Sequence, residues 1–182
     1  MNRLDSRALG RLVLLGAAFA AGPAAAGEPL GTDLFAGYSY LKLSGVSRNG
    51  ANLVLGFHAI GPIAGFVDAS AHWGSDSGTS IKDWTAMAGP GVRFGQRGGT
   101  VLFARVLAGV LRDATSVSVL DVDISEGETR FAILAGGGVD VRIAAHLALR
   151  AQGDYAWYDA SSGSQSGFRG SGGLVYRFGS AP

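Results

Sequence analysis

Asp68, Ser70 and His72, in the stretch FVDASAHW, are an acid, a hydroxyl nucleophile and a base at alternate positions. Such a set performs acyl transfer only when the hydroxyl and the imidazole are within hydrogen-bond reach. On an extended chain, residues two apart are separated by roughly 7 Å, too far for that bond. His58 and His72 have no further ligands at metal-binding spacing, and the absence of Cys removes thiolate ligands, thiol nucleophiles and disulfides. GPGVRFGQRGG has the glycines of a phosphate loop but lacks the Lys-Ser/Thr pair and a helix pattern after it, so it reads as a kinked strand and turn. The segment Arg112–Glu128 carries Asp113, Asp121, Asp123, Glu126 and Glu128. Its DVDISEGE core is not an EF-hand. It reads as a solvated loop, within which the alternation of Ser116–Ile124 can extend the flanking runs as a hairpin; the alternative is a site for a divalent cation bridging lipopolysaccharide, or for a host or phage partner. No catalytic, metal-binding or cofactor-binding residue is assigned, and no enzyme activity is expected.

The chemistry that remains is ion pairing between alternating faces. Positions sharing a face with a charge are Phe66, Asp68, Ser70, His72; Thr85, Met87, Gly89, Gly91, Arg93; and Phe103, Arg105, Leu107, Gly109. The pattern continues through Arg130 to Asp140, through Arg150, Gln152, Asp154, Ala156 and Tyr158, and ends at Arg177. The opposite faces are apolar throughout, as in Leu102, Ala104, Val106, Ala108, Val110 and in Leu174, Tyr176, Phe178. This is period-two alternation, the mark of two-faced strands. Asp68, His72, Arg93, Arg105, Arg130, Asp140, Arg150, Asp154 and Arg177 are therefore expected to point into a shared interior. Buried charge needs a partner, so Asp68 is expected to meet Arg105, and Asp140 to meet Arg150 or Arg93. The charged face is read as Gly-rich and poor in large side chains.

Turn signals divide the chain into eight such runs: 33–43, 51–59, 63–73, 83–94, 100–111, 129–141, 147–158 and 168–178. Runs of about nine to thirteen residues match tilted strands crossing a bilayer, whereas ordinary soluble strands average about five or six. Connections after the even runs are short. Those after the odd runs are longer and polar, the asymmetry of outer-membrane barrels, with both termini on the periplasmic side. Pro90 marks a bulge or kink in the fourth run. Trp73, Trp84 and Trp157, joined by Tyr40, stand at the loop ends of their runs; Phe94 and Phe178 stand at the turn ends. Aromatics at two heights form membrane-interface girdles.

Of 182 residues, 30 are Gly and only 16% are charged. Arg3, Arg7 and Arg11, the apolar run Leu12–Ala21 and the small residues Ala24–Ala26 form a secretory signal peptide over 1–26, leaving 27–182 as one domain. Loss of the leader removes three Arg and one Asp from 15 basic and 14 acidic residues, a net of −1. That balance gives no reason to expect nucleic acid as a partner.

The stretches LFAGYSYLKL, FVDASAHWG, AGPGVRF, LAGGGVDVRIAAHLALRAQGDY and GLVYRF resemble the small outer-membrane β-barrel family of the outer-membrane-protein-A and opacity-like type. The resemblance implies an all-β, eight-stranded antiparallel up-and-down transmembrane barrel in a bacterial outer membrane. It implies lipids, lipopolysaccharide and the barrel-assembly machinery as partners, with the ligand of the external loops unassigned. The family commonly ends on the aromatic; here Gly179–Pro182 follows Phe178. The function expected is structural or surface-interactive, with the lumen plugged by Arg/Asp pairs. The alternatives are a narrow pore for ions or small solutes, and a soluble lipocalin-like binder with its apolar face turned inward.

Overall fold

The computed structural model describes residues 31–43, 45–58, 61–76, 79–119, 122–160 and 163–178. The expected signal peptide and the segment 179–182 lie outside them. Alternation of side chains across each run gives eight strands: β1 (Thr32–Leu43), β2 (Val46–His58), β3 (Ile63–Asp76), β4 (Thr79–Arg97), β5 (Thr100–Val119), β6 (Val122–Arg142), β7 (Leu147–Ala160) and β8 (Gly163–Phe178). Each pairs antiparallel with the next, and β1 pairs with β8 from Thr32↔Phe178 to Leu43↔Gly167, closing the barrel. Closure leaves no edge strand with unpaired backbone groups.

The long polar connections expected after the odd runs are strand instead. β1 and β2 stay paired as far as Leu43↔Val46, so SGVSRNG is mostly ladder. β5 and β6 pair from Thr100↔Val141 to Val119↔Val122, so 112–119 and 122–128 are the upper arms of a hairpin, in line with the alternation of Ser116–Ile124 and longer than it. Ser, Gly, Asn and Asp favour turns by local preference, but a neighbouring strand with open backbone groups extends the ladder through them. β4, β5 and β6 are 19, 20 and 21 residues long. Crossing a bilayer takes about 9–11 residues, so these three stand well clear of it.

The bulge is also displaced from Pro90. β4 pairs with β5 at Ala88↔Ala108 and again at Gly91↔Arg105 in one register, skipping the residues around Pro90. Proline has no N–H to give to that ladder. The register shifts only between Phe94 and Arg97, where Gly95 takes φ 71°. A β-bulge there uses the left-handed backbone that glycine adopts without strain.

The core is the barrel's interior, and it is bulkier than the sequence suggests. Phe35, Phe66, Phe103, Leu107, Leu134 and Tyr158 are buried there beside the charges. Phe66 and Phe103 face each other with ring centroids 5.7 Å apart.

Candidate functional site

The inward side chains form three charged layers. The middle layer takes one residue each from β3, β5, β7 and β8: Asp68, Arg105, Asp154 and Arg169, all at most 3% exposed. Arg169 donates from Nη1 to Asp68 Oδ1 at 2.8 Å and from Nη2 to Asp68 Oδ2 at 2.7 Å, a bidentate fork. Its Nη2 also reaches Asp154 Oδ2 at 2.8 Å. Arg105 donates to both Asp154 oxygens, at 3.2 and 2.9 Å, and its Nη2 lies 3.2 Å from Asp68. Asn52 donates to Asp68 Oδ1 at 2.9 Å and accepts from Gln152 at 2.8 Å. Two cations and two anions are joined across the barrel. Glycine makes the room: a methyl on Gly136 would come 2.6 Å from Asp154 Oδ1. Arg105 also lies 5.8 Å from the ring centres of Phe66 and Phe103, within cation–π range.

The lower layer, toward the Gly98–Gly99 turn, holds Asp33, His58, Arg93, Asp140, Arg150 and Arg177. Arg150 donates to both Asp140 oxygens at 2.6 and 2.9 Å, and Arg93 reaches Asp140 at 2.9 Å and Asp33 at 2.9 Å. Asp140 thus meets both arginines rather than one. His58 Nε2 lies 2.8 Å from Asp33 Oδ2, and its Nδ1 lies 2.7 Å from Arg93 Nη1. The same Arg93 Nη1 also contacts His58 Nε2, so the ring is wedged between Asp33 and Arg93. Arg177 comes no closer than 3.5 Å to Asp140.

The upper layer holds Arg48 paired with Asp83, and Arg130 at 3.2 Å from Asp113 and 2.9 Å from Glu128. Arg130 therefore faces the lumen at its outer mouth. His72 is inward and 1% exposed, with Nε2 at 2.9 Å from Ser39 Oγ. Ser70 bonds Thr85, and Asp68 is held by Arg169 and Asn52, so the Asp-Ser-His spacing in β3 assembles no triad. The serine nearest His72 is Ser39, and no hydrogen-bond partner orients His72 Nδ1 as a triad acid would.

Sequence reading missed Asp33, Arg48, His58, Asp83 and Arg169. Two had a usable signal. Arg169 shares the parity of Arg177 in β8, and Asp83 that of Arg93 in β4. Arg48 was hidden in a segment taken for loop. Asp33 and His58 lie in the two runs whose faces carried no assignment.

The exterior is the converse of the lumen. Val106, Leu174 and Ile133 face outward at 53%, 49% and 38% exposed. Outward-facing charge among the described side chains stays at the upper strand ends, at Lys42, Lys82, Arg112 and Asp159. Trp73, Trp84, Trp157, Phe94 and Phe178 are exposed on this surface, with Tyr38, Phe131 and Phe168 beside the upper set. Tyr40 is half-buried, its hydroxyl 2.6 Å from Ser47 Oγ. A lipocalin-like binder needs the apolar set inside, which this arrangement reverses.

Solved structures share the architecture. The attachment invasion locus protein of Yersinia pestis superposes with a TM-score of 0.58 at 18% identity, over 82% of this chain and 99% of that one. Neisserial surface protein A gives 0.55 at 17% identity, over 82% and 97%. The outer membrane protein OprG from Pseudomonas aeruginosa gives 0.53 at 10%, over 82% and 96%. This chain has the fold of the small outer-membrane β-barrels. No protein-family model and no curated protein matches its sequence. An outer-membrane barrel needs an apolar exterior band with aromatics at its edges, and this barrel has both.

Proposed function

We propose that the protein is a non-enzymatic outer-membrane scaffold whose lumen is plugged and whose function lies in the hairpins it presents outside the cell. The observation carrying this reading is the middle layer: Asp68, Arg105, Asp154 and Arg169 interlock across the barrel and are sealed from solvent. A water path would have to break several charge-assisted bonds at once, and an eight-stranded barrel has room inside only for side chains. Lipids cover the apolar belt, lipopolysaccharide packs against its outer rim, and the barrel-assembly machinery inserts the chain. The upper end of the long β5–β6 hairpin, with the β4 segment paired against it, is the surface available to a partner.

Planar-bilayer recording of the purified, folded protein tests the plug. The expected result is an absence of stable unitary conductance. Reproducible channels would replace this reading with the narrow pore. Fractionation tests the location: the protein stays with outer membranes and migrates differently on gels before and after heating.

A further inference from the structure

Among the described ion-paired side chains, the lumen's charges balance overall but not layer by layer. In the middle, two arginines meet two aspartates. At the upper mouth, Arg48 and Arg130 face Asp83, Asp113 and Glu128. At the lower mouth, among the described residues, the three guanidiniums of Arg93, Arg150 and Arg177 face two carboxylates, Asp33 and Asp140. One cation there has no anion of its own.

Hydrogen bonding identifies that cation as Arg177. Asp140 already accepts from Arg150 and Arg93. Arg177 Nε and Nη2 are shielded from solvent and have no hydrogen-bond partner, and the same holds for Arg93 Nε and Arg150 Nη1. The one acceptor left over nearby is Asp33 Oδ1, with Arg150 Nη2 3.5 Å away. A small rotation of Arg150 satisfies that oxygen and leaves Arg177 and Arg93 with donors to spare. The Nε–Nη2 edge of a guanidinium is a fixed fork whose spacing matches two oxygens of a planar or tetrahedral oxyanion.

Access is from one side only. Side chains of Arg93, Arg177 and His58 are 11%, 19% and 25% exposed, while the middle layer above is closed at 0–1%. We propose that this mouth is a binding site for a small oxyanion, of phosphate or carboxylate type, which draws the shielded Nε–Nη2 edge of Arg177 round to the opening and is held there with Arg93 beside it. The anion neutralises the unmatched charge and accepts the donors that the two aspartates cannot. The inference does not depend on whether the lumen conducts.

The test uses the full folded protein in detergent micelles at fixed pH and ionic strength. Chloride is replaced stepwise by inorganic phosphate in one series and by acetate in another, and the thermal unfolding midpoint is read. The expected result is a saturable rise of several degrees with at least one oxyanion. The rise disappears in Arg177→Gln and persists in Lys82→Gln, which removes a cation from the outer surface. If Arg177→Gln does not fold, Arg177→Lys keeps the charge without the fork; its apparent affinity then falls about tenfold or more. Phosphate alone, acetate alone, or both supports the site and names the source. No saturable rise with either, or an equal rise in the Arg177 variant, overturns it.

Discussion

Replacing Arg169 with Met is the most direct challenge to the middle layer. The side chain is 1% exposed and bridges two aspartates from β3 and β7. Met keeps most of the volume and removes the bidentate bonds to Asp68 and the bonds to Asp154. Arg105 is then left alone between two buried carboxylates. Removing one partner of a buried ionic group costs about 3–5 kcal/mol, because the survivors keep their desolvation penalty. The assay is reversible urea unfolding in detergent, followed by tryptophan fluorescence, with the unheated gel band as proof that the variant folds. A second variant, Arg169→Met with Asp68→Asn, removes the stranded carboxylate and recovers part of the loss, with a coupling of about 0.5–3 kcal/mol between the sites. A single-variant loss below about 1 kcal/mol, or a double variant no better than the single, would refute the claim that this layer is held by its charges.

The exterior makes its own prediction. Val106→Arg places a cation at mid-height on the lipid side and costs about 2–4 kcal/mol when unfolding is measured in phospholipid vesicles, with a much smaller loss in detergent. Inside the barrel, Gly91→Ala brings a methyl to 2.6 Å from the Phe66 ring and crowds Arg105. Overpacking of that kind costs about 1–3 kcal/mol by urea unfolding, whereas Ala104→Ser on the outward face of the adjoining strand leaves the midpoint within about 0.5 kcal/mol.

The face of each strand could be read from residue order because a period of two leaves no freedom: fixing Arg105 inward fixes Val106 outward. Strand ends were less legible. Ser116–Ile124 alternates like a hairpin, but the residues flanking it within 112–128 look like loop formers, and only the pairing of β5 with β6 shows them to be ladder. The content of the lumen was half legible for a related reason. Parity says that Phe66 and Phe103 point inward, but not that a narrow interior will pack aromatic rings around its arginines. Which charges meet depends on strand stagger: Arg169 and Asp68 are 101 positions apart, and no local pattern brings them together. Of the bulge or kink expected at Pro90, the bulge lies further on, because a missing donor and a register shift leave similar traces in sequence. The ladder simply skips the proline, and glycine supplies the bulge further on.

Arg169 lies on the last strand to emerge, while the carboxylates it grips come from the third and the seventh. A barrel still waiting for β8 holds Asp68 and Asp154 with Arg105 as their sole guanidinium. Its interior is therefore electrically incomplete until the seam with β1 shuts. The docking of β8 against β1 thus does two jobs: it closes the wall, and it supplies the keystone that locks opposite sides of the cylinder together.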